Sequence, residues 1–293
     1  MDASQDRGSR ASRRAAIATA CLLAAAGLMA AGVTAHSAFR APRGTASAAL
    51  LDDSLSSGVS TDYPTDSWGG ELKSTSWSGY VVTGPEASAA ATFTVPALPS
   101  CQNGLGSRIL GGPAEAGVIA AAGSRGPATD FWAGIQTTDS SGTSIVQDGI
   151  AAACPSNGPD YYAWMVTNAY NGIPVPLPGT VQAGDLITAA VFTDLAGHYT
   201  LAVYDWSENW SQTSTLTGSA GSNDMAAVAS ESFSGGVSFA PVAVTGAYVN
   251  GEPIGQSNPE AEEEAPALFG GVVALDPTPL DQTEQNFSFY WNL

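Results

Sequence analysis

The chain has 293 residues and is strongly acidic, with 27 Asp and Glu side chains against 9 Lys and Arg and a formal net charge of −18. Residues 1–43 hold six of the basic and two of the acidic side chains, so removing them leaves 3 against 25, a charge of −22. Nucleic acid is excluded as a partner, and so is an anionic lipid surface, because binding to either depends on clustered Lys and Arg.

The N-terminal segment has the composition of a secretory signal peptide. Four arginines within residues 7–14 precede an Ala/Leu-rich run over residues 15–35, and Val33 and Ala35 are the third and last positions before a cleavage site. We therefore predict a signal peptide over residues 1–35, a secreted extracellular protein, and no stable membrane insertion once the signal is removed. The alternative is an N-terminal anchor, since a run of this length is able to span a bilayer.

Residues 36–67 are predicted to form a flexible lead-in or a propeptide. The segment is rich in Ala, Ser, Thr and Gly and shows no sustained hydrophobic periodicity. The folded part is expected to cover residues 68–293 as a single domain, because no Pro/Ser linker or internal repeat divides it. We expect this domain to be a monomer.

The sequence from Trp68 onward is typical of an all-β protein. Short runs rich in Val, Thr, Tyr, Phe and Trp alternate with Gly, Pro, Asn and Asp, and no long amphipathic helix stands out. The predicted strands are residues 77–83, 90–96, 129–137, 143–152, 161–168, 186–193, 199–206, 211–217, 226–233, 237–249, 267–274 and 286–291. Residues 102–128 and 251–266 are predicted as long surface loops, the second containing a solvated run of glutamates. This pattern favours one large antiparallel β-sandwich.

Two of the three cysteines, Cys101 and Cys154, lie in the predicted exported part, whereas Cys21 lies in the signal. Two leftover cysteines in an oxidising compartment usually pair. We therefore predict a disulfide between Cys101 and Cys154. Two buried free thiols are the alternative, because the sequence alone does not show that the two Cα atoms approach each other.

Three successive predicted strands carry the most distinctive motifs of the chain. They are Trp132-Ala133-Gly134-Ile135, then Ile145-Val146-Gln147-Asp148-Gly149, then Tyr161-Tyr162-Ala163-Trp164. Because alternate side chains of a strand share a face, Gln147 is expected on the face of Ile145 and Gly149. A glutamine in a strand is most often a solvent-facing residue, so the order of the surrounding motifs carries the functional interpretation.

In this order the three motifs resemble those of the glutamic peptidases, also called eqolisins, and residues 76–81 and 91–96 resemble the first two strands of that family. The resemblance extends from about Trp77 to the C-terminus, which is most of the chain that remains after the predicted signal. It implies a concanavalin A-like or jelly-roll antiparallel β-sandwich with a concave substrate groove. It also implies an acid-acting endopeptidase with polypeptide substrates, and we expect no cofactor and no metal.

The resemblance further implies a catalytic pair, Gln147 and Glu231. Glu231 ends the run Ala226-Ala227-Val228-Ala229-Ser230-Glu231, which is the counterpart of the family's strand that closes on its catalytic glutamate. In that run Ala227 and Val228 replace a glutamate and an aromatic residue of the family pattern. The catalytic pair is kept, but its surroundings differ.

Three aromatic residues are expected to bind the substrate. Tyr162 and Trp164 share one face of their strand, and Trp132 lies on the neighbouring motif. We expect all three to line the groove and to exclude water from it. Val166 stands where the family usually has an acidic residue, which alters this part of the groove.

An amide and a carboxyl group are sufficient to hydrolyse a peptide bond without a covalent intermediate. An ionised Glu231 is able to take a proton from water and return it to the leaving amine. The amide of Gln147 never titrates, and it is able to hold the water and the developing oxyanion.

Other mechanisms lack the residues that they need. Of two histidines only His198 lies in the predicted folded part, so a Ser-His-Asp triad would have to use it, and a zinc site lacks ligands.

Two other functions stay open. One is a carbohydrate-binding or glycan-active β-sandwich, which needs a second acid such as Asp148 or Asp205 facing Glu231. The other is a catalytically inactive relative of the peptidases.

Overall fold

β-strands form nearly all of the regular structure. The computed structural model describes residues 72–74, 77–99, 101, 127–139, 142–167, 174–218, 222–233, 236–265 and 273–292. The strands are β1 (Leu72–Ser74), β2 (Trp77–Thr83), β3 (Ser88–Thr94), β4 (Ala128–Asp139), β5 (Gly142–Ala153), β6 (Asp160–Val166), β7 (Pro174–Pro176), β8 (Leu186–Thr193), β9 (His198–Asp205), β10 (Trp210–Thr217), β11 (Ser222–Phe233), β12 (Val242–Val249), β13 (Glu252–Pro253), β14 (Glu260–Glu264), β15 (Leu275–Pro277) and β16 (Phe287–Trp291). Within those ranges helical geometry is found in the 3₁₀ turn Ile254–Ser257 and at Cys101.

The strands expected from the sequence agree closely with the observed ones. β2 and β8 have the predicted bounds, and β5 extends one residue beyond its prediction at each end. The predicted strand 237–249 begins only at Val242. The predicted signal and lead-in, residues 1–67, lie outside the described residues, as do most of the predicted loop 102–128 and of the predicted strand 267–274.

The strands follow one hydrogen-bonded path that folds over into two layers. Its order is β10-β9-β8-β3-β12-β16-β15-β14-β2-β11-β4-β5-β6-β7. Every pairing along this path is antiparallel, and only β1 pairs in parallel, with β14. Strands β4 and β5 pack across the interior against β8. The predicted all-β antiparallel sandwich is therefore confirmed.

Aromatic side chains between the layers determine which face of β4 is internal. Phe131 lies 6.5 Å from Phe93 of β3, between ring centroids, and also contacts Phe239 and Phe289. Side chains on a strand alternate between its faces. Asp130, like the residues that follow it at two-residue steps, therefore lies on the face of β4 that points away from the second layer, which we call the outer face.

The prediction that residues 251–266 form a solvated loop is wrong. The segment contains β13, the 3₁₀ turn and β14, and β14 pairs with β2 along the path. Glu262 and Glu264 are buried there, at 3% and 1% exposure. A run of charged residues indicates exposure only when its backbone is not paired within a sheet. Here pairing with β1 and β2 satisfies the backbone of β14 and takes Glu262 and Glu264 out of water.

The predicted disulfide is present between Cys101 and Cys154, with Cα atoms 5.4 Å apart. This separation lies in the usual range for disulfides. Cys154 directly follows β5. The bond therefore attaches the chain near Cys101 to the end of the strand that carries Gln147.

Candidate active site

The register of five adjacent strands determines which side chains share the outer face. Three rows of residues that lie directly opposite one another run across β2, β11, β4 and β5, and the first two continue onto β6. The first row is Trp77, Glu231, Asp130, Ala151 and Tyr162; the second is Gly79, Ala229, Trp132, Gly149 and Trp164; the third is Val81, Ala227, Gly134 and Gln147. All five residues expected to act in catalysis or substrate binding therefore lie on one face.

Glu231 lies on the first row and Gln147 on the third, on either side of the row that contains Trp132. They are separated by one strand, β4, and by four residues along it, from Asp130 to Gly134. In a flat sheet this places their Cα atoms about 16 Å apart. Only side chains that extend toward each other past Trp132 would contact one small molecule.

Small residues make room for Trp132 on this face. A Cβ added at Gly134 would lie 3.1 Å from the Trp132 ring and 3.0 Å from Cβ of Gln147. The indole of Trp132 therefore extends along β4 toward Gln147. At Gly149 an added Cβ would lie only 2.2 Å from the Phe131 carbonyl oxygen, so this position accepts no side chain without a backbone shift.

The predicted site residues differ in their exposure. Trp132 and Trp164 are almost fully buried, each at 1%, and Tyr162 and Gln147 are also buried. Glu231 is partly exposed. The two tryptophans therefore belong to the floor of this face, and Glu231 is the more accessible member of the expected catalytic pair.

Several buried polar atoms on the outer face have no hydrogen-bond partner among the described residues. They are Oδ1 of Asp130, Nε1 of Trp132, Oε1 of Gln147 and Nε1 of Trp164. An unpaired buried polar group costs about 1–3 kcal/mol, so most are paired in folded proteins. Four on adjacent strands of one face indicate a site that hydrogen-bonds to a ligand or to water.

Burial also changes the protonation of the carboxyl groups around Glu231. The pKa of Asp130 is raised well above its usual value, first by burial and then by the negative charge of Glu231. Burial and the negative charge of Glu231 raise the pKa of Glu264 in the same way. Burial and the nearby Glu260 raise the pKa of Glu262 to about 7. Glu231 is therefore surrounded by neutral acids at acidic pH.

The sequence matches the profile of the Peptidase A4 family over residues 75–257, which include Gln147 and Glu231. The chain belongs to the peptidase A4 family. It is accordingly a glutamic-type peptidase, a hydrolase of peptide bonds. No match was found among curated proteins.

Solved structures similar to this A4 peptidase support its fold. Scytalido-glutamic peptidase, solved with a transition state analog inhibitor, is 17% identical with a TM-score of 0.55, over 74% of this chain and 98% of that chain. SCP-B, a member of the eqolisin family solved with the tripeptide Ala-Ile-His, is 16% identical with a TM-score of 0.52, over the same shares of the two chains. At this level of identity the similarity shows the shared β-sandwich.

Sequence reasoning about this A4 peptidase did not single out three residues that lie near Glu231. Asp130 is directly opposite Glu231, and Trp77 is opposite it on the other side. Glu264 interacts electrostatically with Glu231 from β14. Asp130 lies two residues before Trp132, so the strand period places it on the same face. No local sequence feature indicates that β14 lies near β11.

Asp148 and Asp205, the two acids that the sequence offered to a glycan-active enzyme, do not face Glu231. Asp148 lies on the inner face of β5, where burial raises its pKa well above the usual value. Oδ1 of Asp205 accepts hydrogen bonds from the backbone N–H groups of Ser207 and Glu208 in the β9–β10 hairpin. Both acids therefore lie away from the outer face.

His198 is exposed at the start of β9, where its Nδ1 lies 2.7 Å from Oδ2 of Asp194. The backbone N–H groups of Ala196 and His198 donate to Oδ1 of the same aspartate, so this pair closes a surface turn.

Within the described ranges, no cluster of three or more His, Cys, Asp and Glu side chains is arranged to hold a metal ion. The described residues also contain no helix long and apolar enough to cross a membrane.

Proposed function

We propose that this protein is a secreted, acid-acting endopeptidase that hydrolyses peptide bonds with a water molecule activated by Gln147 and Glu231, without a covalent intermediate. The observation that carries the proposal is the shared outer face of these two residues, next to unpaired buried polar atoms. Membership of the peptidase A4 family supports the same chemistry.

The two residues divide the reaction between them. Ionised Glu231 takes a proton from the attacking water as the oxygen bonds to the carbonyl carbon, and then transfers that proton to the leaving amine nitrogen. The amide N–H of Gln147 donates to the tetrahedral oxyanion and carries no charge at any pH. Proton transfer of this kind contributes about 10²- to 10⁴-fold, and an oxyanion donor about 10²- to 10³-fold.

The substrate is a polypeptide that lies across the outer face. Trp132 and Trp164 form the floor of the groove, and their unpaired indole N–H groups suit the carbonyl oxygens of an extended chain. Tyr162 lies in the same row as Glu231 and closes the groove on the β6 side. These aromatic groups lower the local polarity and so strengthen the electrostatic part of catalysis.

Acid action follows from the carboxyl groups around Glu231. A second negative charge beside an ionised Glu231 would oppose its ionisation. Both Asp130 and Glu264 hold their protons at acidic pH, since burial raises their pKa. Secretion is supported by the signal-like residues 1–35, the disulfide and the acidic composition.

Gln147→Ala and Glu231→Ala test the proposal. The purified chain is assayed on denatured protein between pH 2 and 7, and each variant should lower kcat/KM by about 10²-fold or more. Gln212→Ala on β10 and Glu252→Ala on β13 are matched controls on other parts of the surface and should leave kcat/KM within about twofold. Full activity in either site variant would contradict the proposal. A glycan-active enzyme would instead tolerate Gln147→Ala and cleave glycan but not protein.

A further inference from the structure

Asp130 is the direct cross-strand partner of Glu231. The two residues pair between β4 and β11, and both side chains lie on the outer face. Directly opposite residues have Cβ atoms about 4.5–5.5 Å apart, so the two carboxyl groups are within reach of each other. Asp130 is 2% exposed, and its Oδ1 has no hydrogen-bond partner among the described residues.

Two carboxylates in this position would not both be ionised. Like charges directly opposite on neighbouring strands destabilise the sheet, so one of the two carboxyl groups has to keep its proton. The buried group loses more hydration on ionisation than the partly exposed one. Asp130 is therefore the neutral acid, and Glu231 is the member of the pair that ionises.

Among the residues that the structure describes, the groups that face this pair do not supply a compensating positive charge. From β14, Glu264 interacts with Glu231, and Glu262 lies one row away, opposite Gly79. From β6, Tyr162 lies in the same row as Asp130. All of these groups are neutral or acidic, so the proton on Asp130 is what limits the negative charge around Glu231.

We propose that Asp130 is a positioning residue for Glu231: as a neutral acid it donates a hydrogen bond to the ionised glutamate, and loss of its proton at higher pH ends catalysis. The inference rests on the proposed function of Glu231 as the base. Asp130 keeps its proton throughout the reaction. The transferred proton passes from water to Glu231 and from Glu231 to the leaving amine, so the charge of the pair returns to its starting value.

The test compares Asp130→Asn with Asp148→Asn. Asparagine keeps the shape of Asp130 and a donor, and it never ionises. At the pH where the wild type has fallen to about a tenth of its maximal kcat/KM, D130N should keep more than about half of its own maximum. Its activity at low pH should stay within about threefold of wild type. D130A, which removes the donor, should lower kcat about tenfold across the pH range.

D148N controls for unfolding, because Asp148 is equally buried but lies on the inner face of β5. In D148N the fall of kcat/KM on the high-pH side of the profile should be the same as in wild type. If the loss of kcat/KM at high pH is the same in D130N as in wild type, the proposal is overturned. An equal shift of that loss in D148N also overturns it, because the loss of activity is then caused by unfolding.

A second measurement separates this inference from the function on which it rests. Carbon NMR of aspartate-labelled protein follows the carboxyl of Asp130, identified by its absence in D130N. In E231Q its titration should move to lower pH, because the neighbouring charge is removed. An unchanged titration overturns the inference even if E231Q is inactive. Activity in E231Q refutes the proposed function instead, and the titration still reports whether the two carboxyl groups interact.

Discussion

Single glycines determine how closely the strands of the outer face approach. An added Cβ at Gly149 would lie 2.2 Å from the Phe131 carbonyl oxygen and 2.8 Å from Cα of Trp132, which are backbone atoms of the paired strand. At Gly134 the nearest atoms are side-chain carbons of Gln147 and Ile145, at 3.0 Å. Backbone in the middle of a sheet cannot shift alone, whereas side chains adjust by small rotations.

Gly149→Ala should therefore destabilise the protein by about 1–3 kcal/mol, the usual cost of overpacking a filled site. Gly134→Ala should cost less, because its neighbours are able to move. Urea unfolding at acidic pH measures both free energies. An equal cost for the two substitutions would show that the β4–β5 backbone adapts as easily as the side chains.

At the level of elements, the disulfide constrains the strand that carries Gln147. It joins Cys101 to Cys154, immediately after β5, and closes a loop with a sequence separation of 53. A cross-link that closes a loop of this length removes chain entropy from the unfolded state, about 4 kcal/mol in the loop-entropy description. Reduction should therefore affect stability more than the local structure of β5.

The double substitution Cys101→Ala with Cys154→Ala should lower the free energy of unfolding by about 4 kcal/mol. Denaturant unfolding of the double variant and of the wild type, each with and without reductant, measures the change. Reductant should destabilise the wild type only. A double variant as stable as the oxidised wild type would show that the cross-link contributes no net stability.

Strand prediction succeeded where local pattern and tertiary structure agree. Strands β4, β5 and β6 combine β-branched, aromatic and small residues between clear turn signals, and each was predicted within two residues of its bounds. β14 was missed because Glu-Ala-Glu-Glu-Glu has low strand propensity and high charge. Its place between β2 and β15 comes from long-range pairing that no local pattern encodes.

At the level of the whole molecule, the buried acids link stability to pH. Burial raises the pKa of Asp130, Asp148, Glu262 and Glu264 above their usual values. In the unfolded chain the same groups ionise near pH 4, so above that pH the folded state binds more protons. The free energy of unfolding therefore falls as the pH rises from the unfolded pKa values toward the folded ones. The net negative charge adds self-repulsion over the same range.

Glu262→Gln isolates one of these contributions. The pKa of Glu262 is about 7 in the folded protein against an ordinary value of 4.5. Relative to wild type, the variant should gain on the order of 3 kcal/mol of stability between pH 4.5 and 7. Thermal unfolding across this range measures the effect, and Glu252→Gln on the surface should show no such gain. Parallel pH profiles for wild type and E262Q would contradict the assignment.

The sequence by itself determined the all-β class, most strand bounds and the residues of β5 that share a face with Gln147. These follow from the two-residue period of a strand and from turn residues, which are local properties. Only the tertiary structure decided that Glu231 lies opposite Asp130 and that two glutamates of β14 are buried near them. Strand partners and register arise from hydrogen bonds between distant segments. A single strand's pattern therefore fixes which way a side chain points but not which residue it meets.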